Sequence, residues 1–365
     1  MQLYPALITD ALQTVRYPGN GKNLVEAGMV EDDIRIDGDS VSFSLVFDKP
    51  TDPFIKSMAK AAETAIHTYI SPEVKVTVSV ASRQPAAPKD APVLPGVKNI
   101  IGVSSGKGGV GKSTVASNLA VALAQEGYKV GLLDADIFGP SMPKMFGIED
   151  EQLYIHEVDG RQLIIPQERY GVKLLSIGFV VDKEKAVLWR GSMASNALKQ
   201  LITDADWGDL DYFLIDMPPG TSDIHLTLVQ TLPITGVVVV TTPQEVALAD
   251  ARKGIAMFRE DKVNVPILGL VENMAWFTPA EHPDERYYIF GREGGVRLAE
   301  KLGVRLLAQI PLVASIADCG DNGTPIALDG SVTAQAFAHL AREVSDAVAE
   351  RNRELPPTHK VELKH

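Results

Sequence analysis

Apolar positions along this chain follow two different rhythms, separated by a proline-rich break. In the first stretch the spacing of Leu7 to Leu12 predicts a short helix. Ile34-Arg-Ile36 and Val41-Ser-Phe-Ser-Leu-Val-Phe47 alternate as strands do and are joined through Asp37-Gly38, a hairpin signal. A helical pattern runs from about Asp52 to Tyr69, and Val74-Lys-Val-Thr-Val-Ser-Val80 alternates again. Helix, hairpin, helix, strand predicts a small α+β domain over residues 1–81. Residues 82–96 carry four prolines and little to bury, which predicts a semi-extended linker.

The second rhythm occupies residues 97–353. Near-continuous apolar runs, Ile100–Val103, Val130–Leu133, Val172–Ile177, Tyr212–Ile215, Val237–Thr241, Ile267–Val271 and Leu306–Ile310, are separated by helical segments. Such runs predict an α/β fold: a mostly parallel sheet covered by helices on both faces, with ligands beyond the carboxyl ends of its strands. Leu153–Val158 and Gln162–Pro166, flanking Asp159-Gly160, predict one antiparallel insertion. A closing helix from about Thr333 to Arg353 places Phe337, Leu340, Val344 and Val348 on one core-facing stripe. Residues 354–365 are expected to be a mobile tail or to serve in pairing.

Bulk properties narrow the function. The chain of 365 residues has 45% hydrophobic and 22% charged residues, a soluble globular balance, and a net charge of −12. That charge, with no Lys/Arg-rich run, argues against a sequence-independent grip on nucleic acid. No stretch reaches the roughly 18 apolar residues of a membrane span, and Met1-Gln-Leu-Tyr-Pro5 lacks the pattern of a signal peptide. A cytoplasmic protein without membrane or nucleic-acid partners is the expectation. Cys319 is the single cysteine, which excludes an intrachain disulfide and any metal site built from several cysteines of one chain.

The chemistry concentrates at strand ends. Gly106-Lys107-Gly108-Gly109-Val110-Gly111-Lys112-Ser113 satisfies G-x-x-x-x-G-K-[ST] between an apolar strand and a helical pattern, which makes it a phosphate-binding loop. Its backbone N–H groups and the helix N-terminus suit a triphosphate. Lys112 is expected to reach the β/γ-phosphates and Ser113 to hold Mg²⁺. Leu132-Leu-Asp-Ala-Asp136 follows the second strand run with carboxylates at i and i+2, which an extended chain points the same way. Asp136 is assigned to orient the attacking water and Asp134 to support the Mg²⁺ shell. Asp216, ending Tyr212–Ile215, matches a Walker B acid, and Pro218-Pro-Gly220 a turn that senses the γ-phosphate. Asn273 carries an amide suited to the adenine edge.

With these motifs the chain resembles the Mrp/ApbC family of iron–sulfur cluster carriers, deviant-P-loop ATPases related to the MinD, ParA and nitrogenase iron protein group. Gly106–Ser113, Asp134-Ala-Asp136, Trp189-Arg-Gly191, Asp216–Thr221, Thr242-Pro-Gln244 and Glu272-Asn-Met274 carry the resemblance. The first unit resembles, more weakly, the small iron–sulfur assembly domain that precedes many such ATPases. The resemblance implies a P-loop NTPase fold, a homodimer, slow ATP hydrolysis with Mg²⁺, and delivery of a [4Fe–4S] cluster to apoproteins. It implies that Lys107 leaves its own loop to reach the nucleotide of the partner subunit. The nucleotide contacts expected are Gly106, Lys107, Gly108, Gly109, Val110, Gly111, Lys112, Ser113 and Thr114, completed by Asn273 and Pro311.

The sequence departs from that family where a Cys-x-x-Cys pair normally holds the cluster: after Glu272-Asn-Met-Ala-Trp-Phe277 it reads Thr278-Pro-Ala-Glu-His-Pro-Asp284. The cysteine expected before the second helix of the first unit is also absent from Lys49-Pro-Thr-Asp-Pro53. A four-iron cluster takes four thiolates and a dimer of this chain offers only two, so the cluster ligands stay unassigned. Glu281 and His282 near the lost pair are a thin basis for a metal ion. Two alternatives therefore stand beside the carrier. One is a cluster-free, nucleotide-switched scaffold for iron–sulfur assembly partners, facing them with Trp276, Phe277, Tyr287, Tyr288 and Phe290. The other is a positioning ATPase like MinD or ParA, for which the sequence shows neither an amphipathic tail nor a basic surface.

Overall fold

Alternation in the first unit builds α1 (Pro5–Leu12), β1 (Arg35–Asp37), β2 (Ser40–Phe47), α2 (Ile55–Tyr69) and β3 (Lys75–Ser82). In this sheet β1 runs antiparallel and β3 parallel to the central β2. Every second residue of β2 from Val41 to Phe47 is buried and meets Met58, Ala62, Ala65 and Ile66 on one stripe of α2, with Ile8 and Leu12 of α1. Helix α2 begins at Ile55 rather than Asp52, because the Asp52 carboxylate accepts the Phe54 N–H at 2.8 Å and the Tyr17 hydroxyl, fixing a turn across Pro53.

The second unit contains β4 (Val97–Ser105), α3 (Lys112–Gln125), β5 (Val130–Asp134), α4 (Met142–Met145), β6 (Tyr154–Val158), β7 (Arg161–Ile165), β8 (Gln167–Arg169) and β9 (Val172–Ser176). There follow α5 (Gly191–Thr203), β10 (Leu210–Asp216), α6 (Asp223–Thr231), β11 (Gly236–Thr241), α7 (Glu245–Arg259), β12 (Ile267–Glu272), α8 (Gly294–Leu302), β13 (Leu306–Gln309), α9 (Ala314–Asp321) and α10 (Val332–Glu354). The computed structural model describes residues 3–48, 52–83, 93–137, 139–158, 160–179, 191–279, 281–282 and 285–361. Its two units are Met1–Ala91 and Pro92–His365. Residues 84–92 of the expected linker, Trp189-Arg190 and Asp159 of the expected hairpin turn lie outside the described residues.

Eight strands form one sheet in the order β13-β12-β11-β4-β10-β5-β9-β8. All its pairings are parallel except that of β8 with β9, a short polar edge strand that the apolar pattern gives no sign of. The insertion is β6 paired antiparallel with β7. One face of the sheet packs against α3 and α10, through residues such as Leu119, Val121, Phe337, Leu340 and Val344. The other packs against α5, α6, α7 and α8, through residues such as Leu198, Leu228, Ile255 and Leu298. The order sets β4 between β11 and β10, with its carboxyl end in the crevice where ligands of such sheets bind.

The tail is tied down as far as Val361, unlike the mobile segment expected. Arg351 donates to the Pro356 carbonyl and to Thr358 Oγ1, both at 2.8 Å, and the Val361 N–H donates to the Val229 carbonyl at 3.0 Å.

Candidate active site

The strand β4 ends at Ser105, and six residues later Gly111, at φ 79°, turns the chain into α3. Two glycines here answer to specific neighbours. A Cβ on Gly106 would lie 2.1 Å from the Asp250 carbonyl carbon, so α7 packs directly on the loop's entry. A Cβ on Gly111 would lie 2.2 Å from Asn273 Nδ2, in a left-handed conformation that side chains rarely adopt. Ser105 Oγ donates to the Lys107 carbonyl at 3.0 Å, and Asn273 Nδ2 to the Val110 carbonyl at 2.9 Å. The loop is held by packing and by side chains from the end of its own strand, β4, and from just past the end of β12.

Beneath it, charge converges on Lys112, which is only 6% exposed. Its ammonium donates to Asp216 Oδ1 at 2.5 Å and lies 3.7 Å from Asp136 Oδ2. Ser113 Oγ donates to the other Asp216 oxygen at 2.6 Å. Asp216 and Asp134 pair across adjacent strands, since β10 is in register with β5. Burial raises the Asp216 carboxyl above its ordinary value against the pull of Lys112 and Ser113. Burial, then the neighbouring Asp216, pushes Asp134 up to about 7.

Asp134 and Asp136 do not act as the matched pair that their spacing suggests. Strand β5 stops at Asp134, so the alternation that would point both residues one way ends there. Asp134 Oδ2 accepts from the Ser141 and Met142 N–H groups, each at 3.1 Å, and from Ser176 Oγ at 2.8 Å, while Oδ1 accepts the Asp136 N–H at 3.2 Å. Four donors hold this carboxylate to the loop before α4. Asp136 alone of the two faces Lys112. The amide of Asn273 donates to the phosphate loop through Nδ2. Pro311, buried just past β13, is not among the residues lining the adjacent cavity.

That cavity, about 210 Å³, opens on the Lys107 side of the loop and is lined by Lys107 to Val110 with Thr242, Gln244, Met274 and Phe290. Thr242 Oγ1 is buried there without a hydrogen-bond partner. No carboxylate lies within ion-pair distance of Lys107 among the described residues. Beyond Met274 the chain forms an aromatic lid. Phe277 and Tyr287 exchange backbone hydrogen bonds at 2.8 and 2.9 Å, and Arg286 stacks over Trp276 at 4.2 Å. Glu272, fully buried, accepts the Gly295 N–H at 2.7 Å and a Gln309 amide at 2.5 Å, fixing the start of α8 behind the lid.

Three residues escaped sequence reasoning: Ser176, which steadies Asp134; Glu272, which anchors α8; and His225, which caps α6. Only His225 left a signal, as the fourth residue of Ser222-Asp-Ile-His225, the capping-box spacing with His in place of Glu. The cluster cargo implied by the resemblance finds no thiolate set. Cys319 sits half-buried in α9 against the core, its thiol raised by burial and by Asp329 and Asp318. Among the described residues no group of three or more His, Cys, Asp or Glu side chains is placed to hold a metal ion, and Glu281 and His282 form no such group.

A mostly parallel sheet with a phosphate loop at the end of its central strand, and an acid of the neighbouring strand set against the loop's lysine and serine, defines a P-loop ATPase. A family model described as the NUBPL iron-transfer P-loop NTPase, of the ParA group, matches residues 96–345, and one for iron–sulfur cluster assembly proteins matches residues 6–80. The chain belongs to the NUBPL iron-transfer P-loop NTPase family. It is 43% identical over 350 residues to an iron–sulfur cluster carrier protein of Synechocystis sp., covering 94% of this chain and 98% of that one. It is 50% identical over 261 residues to the carrier protein of Escherichia coli, covering 72% of this chain and 69% of that one. Among solved structures, an ADP-bound nucleotide-binding protein from Archaeoglobus fulgidus is 38% identical, with a TM-score of 0.54 over 63% of this chain and 88% of its own. No helix among the described residues is long and apolar enough to cross a membrane.

Proposed function

We propose that this chain is an ATP-hydrolysing iron–sulfur cluster carrier or assembly factor that works as a homodimer and hands clusters to apoproteins or assembly partners. The observation that carries the reading is the buried convergence of Lys112, Ser113, Asp216 and Asp136 beneath the phosphate loop, in a chain whose first unit separately matches iron–sulfur assembly proteins. The residues fit Mg·ATP. The loop N–H groups and Lys112 bind the phosphates; Ser113 and Asp216, already joined, are the donors for Mg²⁺, which would shield the phosphate charge. Asp136, two residues beyond the Asp134 brace, orients the attacking water. Lys107, without an acidic partner of its own, reaches the nucleotide of a facing subunit.

The cluster is cargo, and this chain supplies one cysteine toward it. Any four-iron cluster it carries therefore takes ligands from a partner as well. Anaerobic reconstitution of the purified protein with iron and sulfide, alone and with an apo-target, tests this: charge-transfer absorption and bound iron are expected only with the target present. Bound iron at no stoichiometry in either arm would overturn carriage. It would leave the second reading, a cluster-free scaffold, which the setting of Cys319 favours. That reading expects an ATP-dependent pulldown of assembly partners through Tyr287 and Tyr288, which are 50% and 37% exposed.

A further inference from the structure

Behind the phosphate-facing turn lies a buried imidazole that the ATPase chemistry above does not use. His225 is 1% exposed, in the first turn of α6, with its ring edge-on to Phe258 of α7. The Ser222 N–H donates to His225 Nδ1 at 3.2 Å, and Ser222 Oγ stands at the same distance. A ring nitrogen that accepts from a backbone N–H carries no proton, so the neutral ring holds its proton on Nε2. Burial pushes the imidazole down to about 4, with Lys112 adding to the effect, which keeps it neutral. His225 is thus a neutral donor with a defined direction.

Nε2 is buried and, among the described residues, makes no hydrogen bond of good geometry. The matching acceptor is close by. Pro218 is buried, and its backbone already takes part in a hydrogen-bond interaction with the imidazole that falls short of good hydrogen-bond geometry. The turn is otherwise thinly held. Pro218 and Pro219 have no N–H, leaving Met217 to Val103 at 3.0 Å and Gly220 to Ser105 at 2.9 Å as its backbone anchors. A buried donor held just short of good geometry with its acceptor is a costly arrangement that a small movement of the turn relieves.

We propose that His225 is a positioning residue of the ATPase: its Nε2–H closes onto the Pro218 carbonyl when nucleotide draws the Pro218–Gly220 turn inward. That contact locks the turn, and with it Asp216, in the hydrolytic arrangement. The inference rests on reading this turn as the γ-phosphate sensor. Because the group acts by donating a hydrogen bond, its conservative replacement is an amide.

The test compares His225→Gln and His225→Leu in the full chain. His225→Leu is expected to lower kcat for ATP at least ~10-fold with KM within about twofold, the pattern of a loss that falls on the hydrolytic step rather than on nucleotide binding. His225→Gln is expected to recover kcat to within about threefold. Equal losses in both variants, or a loss confined to KM, would overturn the proposal. Ring nitrogen spectra of histidine-labelled wild type, assigned with His225→Gln, give a second arm that does not depend on His225→Leu folding. A non-hydrolysable ATP analogue with Mg²⁺ should shift the protonated Nε2 signal, and no shift overturns the contact. Loss of turnover in the wild type would count against the sensor reading, and the ring spectrum would still decide on His225.

Discussion

The floor beneath the phosphate loop and the lid beyond Met274 are both built at the ends of neighbouring strands, yet they are organised in opposite ways. The floor is buried, charged and internally satisfied: Lys112, Ser113, Asp216 and Asp136 answer one another, and Asp134 is held by four donors. The lid is aromatic and half-exposed, held by strand-like bridges from Phe277 to Tyr287 and to Leu312 and by arginines over Trp276 and Tyr288. Chemistry on ATP needs fixed charges in a dry setting, where they act most strongly. A surface that meets changing partners needs apolar area instead. The contrast teaches that the fixed charges of the floor and the apolar area of the lid are separately built in this chain, joined through the adjacent residues Glu272 and Asn273.

Substitutions can break that contrast. Lys112→Ala should have the largest effect, lowering turnover at least ~100-fold and weakening nucleotide binding, measured by phosphate release and equilibrium titration. Lys107→Ala should leave ATP binding within about threefold but cost turnover at least ~50-fold, as a cross-subunit cation would. Full turnover in that variant would remove the cross-subunit role. Gly106→Ala forces a Cβ into the α7 backbone and should cost about 1–3 kcal/mol of stability, read by urea unfolding. Trp276→Ala lies on the other side of the comparison. It should leave turnover within about threefold while weakening partner capture, and a collapse of turnover would show that lid and floor are one device.

The smallest effect concerns pH. Folded His225 stays neutral down to about 4, whereas the unfolded chain protonates it near 6.5. Between those values the unfolded state binds more protons, so this residue's contribution is complete above 6.5 and is lost as pH falls toward 4. The melting temperature of His225→Gln should therefore fall less than that of the wild type between pH 6.5 and 4.5.

Much of the fold was legible because its signals are local. The apolar runs of β4, β5, β10 and β11 are long and uninterrupted, and Gly106–Ser113 joins a strand to a helix at fixed spacing. What the sequence concealed is set by where elements stop and by what lies across the fold. Asp134 and Asp136 share a strand-end motif, but only the last residue of β5 determines which of them turns away. The amide of Asn273 fits an adenine edge or a carbonyl equally well, and only the approach of Val110 decides. Ser176 and Glu272 act on residues 42 and 23 positions away, beyond any local pattern. Nothing local in the tail signals that Arg351 reaches forward to Pro356 and Thr358 to secure it.

One consequence follows from the pairing of Lys112 with two carboxylates. The ligand-free floor holds two acids against one ammonium, so it does not present the bare positive charge that would attract any passing phosphate. An anion arriving alone meets repulsion from Asp136 and Asp216 and must prise Lys112 away from both. An anion escorted by a divalent cation gives those acids a new partner as it takes the lysine. Such a floor is expected to favour a nucleotide together with its metal over free phosphate.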